Sequence, residues 1–143
     1  DIFYDMIVET YNRSEAKHPP PKLLYELIIK NRALKSKFFF AQHEGKYIAG
    51  ALFFICKDIV TFIAGGSYRE KWNVYPNNAL FWHAIEFYHN KGFKTLDLLG
   101  IDLERIGKFK KGWGGAIVSH HLCTKKSLLF RMARFFVTMG KND

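Results

Sequence analysis

Residues 47–67 decide the fold of this chain and read YIAGALFFICKDIVTFIAGGS. The apolar runs at 47–56 and 59–64 are typical of strands, and the two polar residues between them predict a turn. Because both runs are apolar at consecutive positions, we expect strands that are buried on both faces at their centre. Gly50 stands inside the first run, where an isolated glycine favours a β-bulge.

Flanking segments extend these two strands into a mixed sheet. An aromatic run at 37–42 precedes them, and Gly45 can supply the positive φ of a tight hairpin, so the first three strands form an antiparallel meander. A helical pattern at 76–90 and an apolar run at 95–99 follow. A strand, a crossover helix and a second strand make a parallel, right-handed unit. Helices are also predicted at 1–11, 22–34 and 127–139, and a last strand at 116–124.

This order of elements predicts an α/β (α+β) domain in three layers, with a mixed central sheet and flanking helices. The chain has 143 residues, of which 48% are hydrophobic and 24% charged, so intrinsic disorder is excluded. An apolar run long enough to span a membrane is absent. We expect a single domain over 1–143, and the missing initiator Met and signal peptide indicate the C-terminal portion, or a trimmed piece, of a longer protein.

The charge and the cysteines indicate location and partners. The formal net charge is +9, and 102–143 alone carry nine Lys/Arg against three Asp/Glu. A basic C-terminal third favours an anionic partner: nucleic acid, phosphate groups or an anionic membrane face. Two distant cysteines, Cys56 and Cys123, fit a reducing cytoplasm. Helix 127–139 is apolar nearly all round, which predicts burial or docking. Peripheral contact with the inner face of the membrane would use Lys125, Lys126, Arg131 and Arg134.

Several motifs that carry chemistry are missing. The chain has no dinucleotide-binding glycine loop after a strand, no phosphate loop of the G-x-x-x-x-G-K-[ST] type, no H-E-x-x-H helix and no G-x-S-x-G elbow. His120, His121 and Cys123 are close in sequence, but on a strand only His121 and Cys123 could share a face. Zinc usually takes three or four protein ligands, so no metal site is predicted.

The most informative stretch is 107–115, which reads GKFKKGWGG. Glycines allow backbone amides to approach a ligand, lysines supply charge to phosphate or to a developing oxyanion, and aromatic rings can stack on bases. We expect a ligand-binding basic loop here. The alternative is an ordinary surface loop that Phe109 and Trp113 anchor to the core.

Five segments together resemble the acyltransferase domain of the Fem-type (FemABX) peptidoglycan-bridge aminoacyltransferases, within the wider GNAT superfamily. They are IAGALFF at 48–54, GGS at 65–67, NALFW at 78–82 with Ala84-Ile85, LDLLGID at 96–102, and FK at 109–110 followed by GWGG at 112–115. The resemblance implies a GNAT-like fold and a transfer of an aminoacyl group from aminoacyl-tRNA to an amine of a lipid-linked or nucleotide-linked peptidoglycan precursor. It implies no cofactor besides the donor itself.

Carried over by motif, Lys110 would meet the acylated end of the tRNA, and Phe109 would shape the pocket. The remaining substrate-binding positions that the resemblance implies are Gly65, Ser67, Asn78, Asp102, Lys111, Trp113 and Gly114. No general base is assigned. Asp97 and Asp102 are the nearest carboxylates, and Asp97 fits a structural hydrogen-bonding role equally well.

Two other functions remain open. An acyl-CoA-dependent N-acetyltransferase of the same fold would place pantetheine between strands 59–64 and 95–99. The Q/R-x-x-G-x-G/A loop that acyl-CoA users carry is absent after the first of these strands. A non-catalytic module that binds tRNA or a membrane is the third reading. The oligomeric state is not indicated by the sequence.

Overall fold

The computed structural model describes residues 1–14 and 18–119, and within them it confirms the mixed α/β architecture. The helices are α1 (Ile2–Arg13), α2 (Lys22–Lys30), α3 (Pro76–His89) and α4 (Glu104–Lys111). The strands are β1 (Ser36–His43), β2 (Lys46–Cys56), β3 (Ile59–Ser67) and β4 (Thr95–Asp97), and a 3₁₀ helix spans Arg69–Val74.

The described strands form one sheet in the order β1-β2-β3-β4. The first three strands pair antiparallel, and β4 pairs parallel to β3, as the crossover helix requires. Glu44 and Gly45 both have positive φ, at 50° and 76°, which confirms the tight hairpin between β1 and β2. The register shifts lie between Ala41 and Gln42 and between Leu52 and Phe53, so the bulge predicted at Gly50 is wrong.

Alternate residues of β2 build two cores, one on each face of the sheet. Ala49, Ala51 and Phe53 lie in the first core with Leu80 and Ala84 of α3. On the other face Leu52 packs with residues of α1 and α2, among them Phe3, Ile7, Tyr25 and Ile28. The burial of β2 on both faces is therefore confirmed, and helices cover both sides of the sheet.

Gly50 and Gly66 allow α1 to lie close to the sheet. A Cβ built on Gly66 would be 2.5 Å from the backbone carbon and oxygen of Met6, and one built on Gly50 would be 2.8 Å from the Phe3 ring. These glycines face each other across the β2–β3 pair. The glycine that predicts a bulge and the glycine beyond the predicted end of the strand are instead the places where a helix contacts bare backbone.

Several predicted boundaries differ from the structure, and three of them bear on the site or on the surface of α2. Helix α2 ends at Lys30 rather than at residue 34, because the Asn31 side chain accepts a hydrogen bond from the Ala33 amide, an Asx turn that competes with the helix. Strand β3 continues through Gly65 and Gly66 to Ser67. Strand β4 ends at Asp97, two residues early.

The basic stretch at 107–115 begins inside a helix, so the loop predicted there is wrong over its first five residues. Helix α4 continues through Gly107, whose amide donates to the Leu103 carbonyl at 2.7 Å. A Cβ at Gly107 would lie 2.7 Å from the carbonyl oxygen of Ile101, so this glycine serves close packing rather than a turn.

The chain divides into two compact units, Asp1–Trp113 and Gly114–Asp143. Within the second unit only 114–119 are described, and residues 115–119 adopt no regular secondary structure, so the strand predicted from 116 does not begin there. The rest of that strand, helix 127–139 and the residues His120, His121 and Cys123 lie outside the described residues. In the described part of the chain, no helix is long and apolar enough to cross a membrane.

The close approach of α1 to β3 predicts that Gly66→Ala destabilises the fold, because the added methyl group meets helix backbone that cannot move aside. We expect a loss of about 1–3 kcal/mol in the free energy of unfolding, measured by urea titration followed by circular dichroism. Gly115→Ala is the matched control, since a Cβ there has nothing within 4 Å among residues 1–14 and 18–119. Equal stability of the two variants would contradict this packing.

Candidate active site

The parallel pairing of β3 with β4 ends early, and the two strands then separate. Only three residue pairs join them, and Thr61 with Asp97 is the last. The carboxylate of Asp97 accepts a hydrogen bond from the Leu99 amide at 2.7 Å, and Leu99 takes a left-handed φ of 58°, so the chain turns at this point. Beyond Thr61, β3 runs six more residues with no strand partner on that side within the described ranges.

A cavity of about 550 Å³ lies against this part of β3. Side chains of α1, the 3₁₀ helix, the start of α3 and helix α4 surround it. Its charged lining residues in the described chain are three cations, Arg13, Arg105 and Lys110, with no Asp or Glu among them. The cavity therefore favours an anionic ligand.

Lys110 projects from α4 and is half-buried in the cavity wall. Its ammonium group donates a hydrogen bond to the Gly100 carbonyl at 2.7 Å and lies 5.9 Å from the centre of the Phe62 ring. Burial lowers the pKa of Lys110, and the nearby carboxylates of Asp97 and Asp102 partly oppose this effect. A lysine held in this way is a charged donor that has already lost part of its hydration.

An aromatic cluster holds α4 against α3. Phe81 forms a T-shaped pair with Phe109 at 5.1 Å between ring centroids and stacks on Trp113 at 5.8 Å with an interplanar angle of 22°. Phe81 also meets Phe62 of β3 at 4.8 Å. Phe109 and Trp113 thus anchor the basic segment to the core, as the alternative reading proposed, and Phe109 lines the cavity as well.

Ser67 joins three elements at the end of β3. It is buried, and its hydroxyl oxygen accepts hydrogen bonds from the indole of Trp72 at 3.1 Å and from the amide of Asn77 at 3.2 Å. Its own backbone amide donates to the hydroxyl oxygen of Thr10 in α1 at 3.1 Å. The Arg13 guanidinium lies over the Trp72 ring at 4.7 Å and pairs with Glu9 at 2.8 Å. Burial lowers the pKa of Arg13, against the opposing effect of Glu9.

The remaining predicted site residues divide between the cavity and its surroundings. Gly65 and Asn78 line it. Asp102 and Lys111 are exposed and do not, although Asp102 acts electrostatically on Lys110. Gly114 has a positive φ of 73° and belongs to the second unit. Lys125, Lys126, Arg131 and Arg134 lie outside the described residues.

Several residues of the site were not predicted. The cavity is also lined by Arg13, Trp72, Asn77 and Arg105, and none of these residues belongs to a recognisable sequence motif. Tyr75 lines the cavity as well, and a signal for Trp72 and Tyr75 existed, because they are aromatic residues three apart between a strand and a helix. Tyr75 has a left-handed φ of 49°, which is uncommon outside glycine and clusters at functional sites.

The described residues hold no group of three or more His, Cys, Asp or Glu side chains suited to a metal ion.

Comparison with known proteins gives a family and a fold. The family model described as the acetyltransferase (GNAT) domain matches residues 1–111. No curated protein matches the chain.

Three solved structures illustrate the similarity in fold. An aminoglycoside acetyltransferase from an uncultured soil metagenomic sample, solved with sisomicin, is 16% identical with a TM-score of 0.60, covering 87% of this chain and 86% of its own. A ribosomal-protein-alanine N-acetyltransferase from Brucella melitensis biovar Abortus 2308 is 11% identical with a TM-score of 0.61, covering 85% and 88%. A putative acetyl transferase from Pyrococcus furiosus is 16% identical with a TM-score of 0.60, covering 90% and 95%.

At these identities the structures show the fold alone, whereas the family model covers most of the sequence. The match to the family model extends to Lys111, so it includes α4 and every described residue that lines the cavity. The chain therefore belongs to the GNAT acetyltransferase family, and it is an acyltransferase.

Proposed function

We propose that this protein transfers an acyl group from a coenzyme A thioester to an amine, with the cavity beside β3 as the donor site. The observation that carries the proposal is the cationic cavity on the open edge of β3. Two structural neighbours, an aminoglycoside acetyltransferase and a ribosomal-protein-alanine N-acetyltransferase, support an amine acceptor. This reading is favoured over transfer from aminoacyl-tRNA because the family model describes an acetyltransferase.

The donor fits the cavity in two chemical respects. Pantetheine is an extended chain with two amide groups, and the edge of β3 from Phe62 to Gly66, which has no strand partner among the described residues, offers backbone groups that pair with such a chain. The phosphates would meet the cations of the lining and the beginning of α3, a helix that no side chain caps.

The reaction requires a hydrogen-bond donor that stabilises the negative charge that develops on the thioester carbonyl oxygen. The acceptor nitrogen attacks the thioester carbonyl, the C–N bond forms, and the C–S bond breaks with the proton passing to the leaving thiolate or to solvent. We assign Lys110 as the group that stabilises the oxyanion, because its ammonium is half-buried in the cavity wall. Since the described lining holds no carboxylate, the acceptor would enter as the free amine.

Transfer from aminoacyl-tRNA remains the second candidate, with an amine of a peptidoglycan precursor as acceptor. The connection between β3 and α3 favours it. This connection is a 3₁₀ helix with bulky side chains, Arg69–Val74, where a phosphate-binding glycine loop would serve coenzyme A. Helix α4 also presents Lys108, Lys110 and Lys111 in its last turn, a cluster suited to nucleic-acid phosphates.

A transfer assay with two labelled donors tests the proposal. The full chain is incubated with acetyl-CoA or with aminoacyl-tRNA. Each donor is tested with three acceptors: an aminoglycoside, a peptide with a free N-terminal alanine, and a cell-wall precursor. We expect product from acetyl-CoA. Product from aminoacyl-tRNA alone would overturn the donor assignment in favour of the second candidate, and product from neither would contradict the assignment of this cavity as a donor site.

The assignment of Lys110 predicts that Lys110→Met lowers kcat about 10²–10³-fold, the loss typical when one oxyanion donor is removed. Lys110→Arg keeps a cation and should recover part of the activity. Lys108→Met is the matched control, because Lys108 is exposed on the same helix, pairs with Glu104 at 2.7 Å and does not line the cavity. A Lys110→Met variant as active as Lys108→Met would remove the assigned role.

The lowered pKa of Lys110 predicts the alkaline limit of activity. The ammonium works in its protonated form, and burial lowers its pKa from 10.5, so activity should fall with rising pH before an exposed lysine would deprotonate. Arginine stays protonated at every accessible pH, so Lys110→Arg should lose this alkaline decline. A pH profile of kcat that is the same for the wild type and Lys110→Arg would contradict the prediction.

A further inference from the structure

Helix α2 presents an unusually apolar surface to solvent. Its nine residues bury only Tyr25 and Ile28 against α1 and the sheet. Four large aliphatic side chains are about half exposed or more: Leu23 (60%), Leu24 (46%), Leu27 (54%) and Ile29 (65%). Leu23 and Leu27 are one turn apart and so share a face, and Leu24 lies beside them. We call Leu23, Leu24 and Leu27 the leucine face.

Basic side chains flank the leucine face in the sequence. Lys22, Lys30, Arg32 and Lys35 are all exposed, and Glu26 is the one acidic residue between the first and last of them. Lys22 pairs with Asp1, so three of the four cations have no ion-pair partner among the described residues. The turn after the helix adds Leu34, which is 40% exposed.

The charge distinguishes between possible occupants of this surface. A second copy of the chain would bring the same excess of cations against it, which disfavours self-association. Lysine is also depleted at protein–protein interfaces. An aliphatic face flanked by Lys and Arg is instead typical of helices that lie in a membrane interface, where the cations bind anionic headgroups.

We propose that α2 and the turn after it bind the surface of an anionic lipid bilayer, with the leucine face inserted at the level of the headgroups. Nine residues are too few to span the hydrocarbon core, so the helix lies in the plane of the interface. The cavity is lined by α1, α3, α4 and the 3₁₀ helix, and no residue of α2 takes part in it. The proposal is therefore independent of the donor and acceptor of the reaction.

Flotation of the full chain with vesicles tests this proposal. One set of vesicles is pure phosphatidylcholine and the other contains 30% phosphatidylglycerol. We expect at least tenfold more protein with the anionic vesicles at 150 mM salt, and a large part of this binding lost at 500 mM. No binding to the anionic vesicles by the wild type would overturn the proposal.

Variants assign the binding to α2. Leu23→Gln/Leu24→Gln/Leu27→Gln keeps helix-forming residues and removes the apolar face. Lys30→Gln/Arg32→Gln/Lys35→Gln removes the three flanking cations that have no ion-pair partner among the described residues. Each should lower binding at least tenfold with an unchanged circular dichroism spectrum. Lys46→Gln/Lys57→Gln/Lys94→Gln removes the same charge from exposed positions elsewhere and is the matched control.

Two outcomes would overturn the assignment. Binding that survives both α2 variants but is lost in Lys125→Gln/Lys126→Gln would place the membrane contact in the C-terminal segment. A dimer in size-exclusion chromatography that the leucine variant dissociates, without vesicle binding by the wild type, would make the leucine face a contact between copies of this chain.

Discussion

The parallel ladder between β3 and β4 is only three residue pairs long, and the site depends on where it stops. If the two strands stayed paired, backbone hydrogen bonds would close the edge of β3 and no ligand could lie against it. The Asp97 side chain ends the ladder by binding the Leu99 amide. This carboxylate therefore stabilises the turn at which the chain leaves the ladder, and it also contributes to the electrostatic environment of Lys110.

The central strands could be predicted from the sequence because their signals are local and strong. An apolar strand that is buried on both faces can be recognised without knowledge of its neighbours. A helix of fourteen residues between two strands makes a crossover connection, and such connections between parallel strands are right-handed. The fold class follows from these two facts. The family resemblance added the correct superfamily, while the Fem-type reaction stays a proposal.

Glycines were the main source of error, because their roles depend on tertiary contacts. The sequence predicts a bulge at Gly50, a strand end before Gly66 and a loop from Gly107, yet each of these glycines lies inside a strand or helix where another part of the chain approaches closely. Long-range contacts also explain the missed half of the site. Arg13 and Trp72 are 59 positions apart and meet only because α1 crosses the end of β3. Of the predicted residues, Lys110, Phe109, Gly65, Ser67 and Asn78 do reach the cavity or its floor.

The hydroxyl of Ser67 has a consequence for how the protein moves. One oxygen accepts from both Trp72 and Asn77, and the backbone amide of the same residue binds Thr10. The 3₁₀ helix, the first turn of α3 and the last turn of α1 are thus connected through a single buried residue. Local opening of any one of them removes a partner that the others need, so the three should exchange their amide hydrogens as one cooperative unit. A ligand that fills the neighbouring cavity would slow that exchange in all three segments together. One of these segments is the last turn of α1, which is far from Lys110 in the sequence.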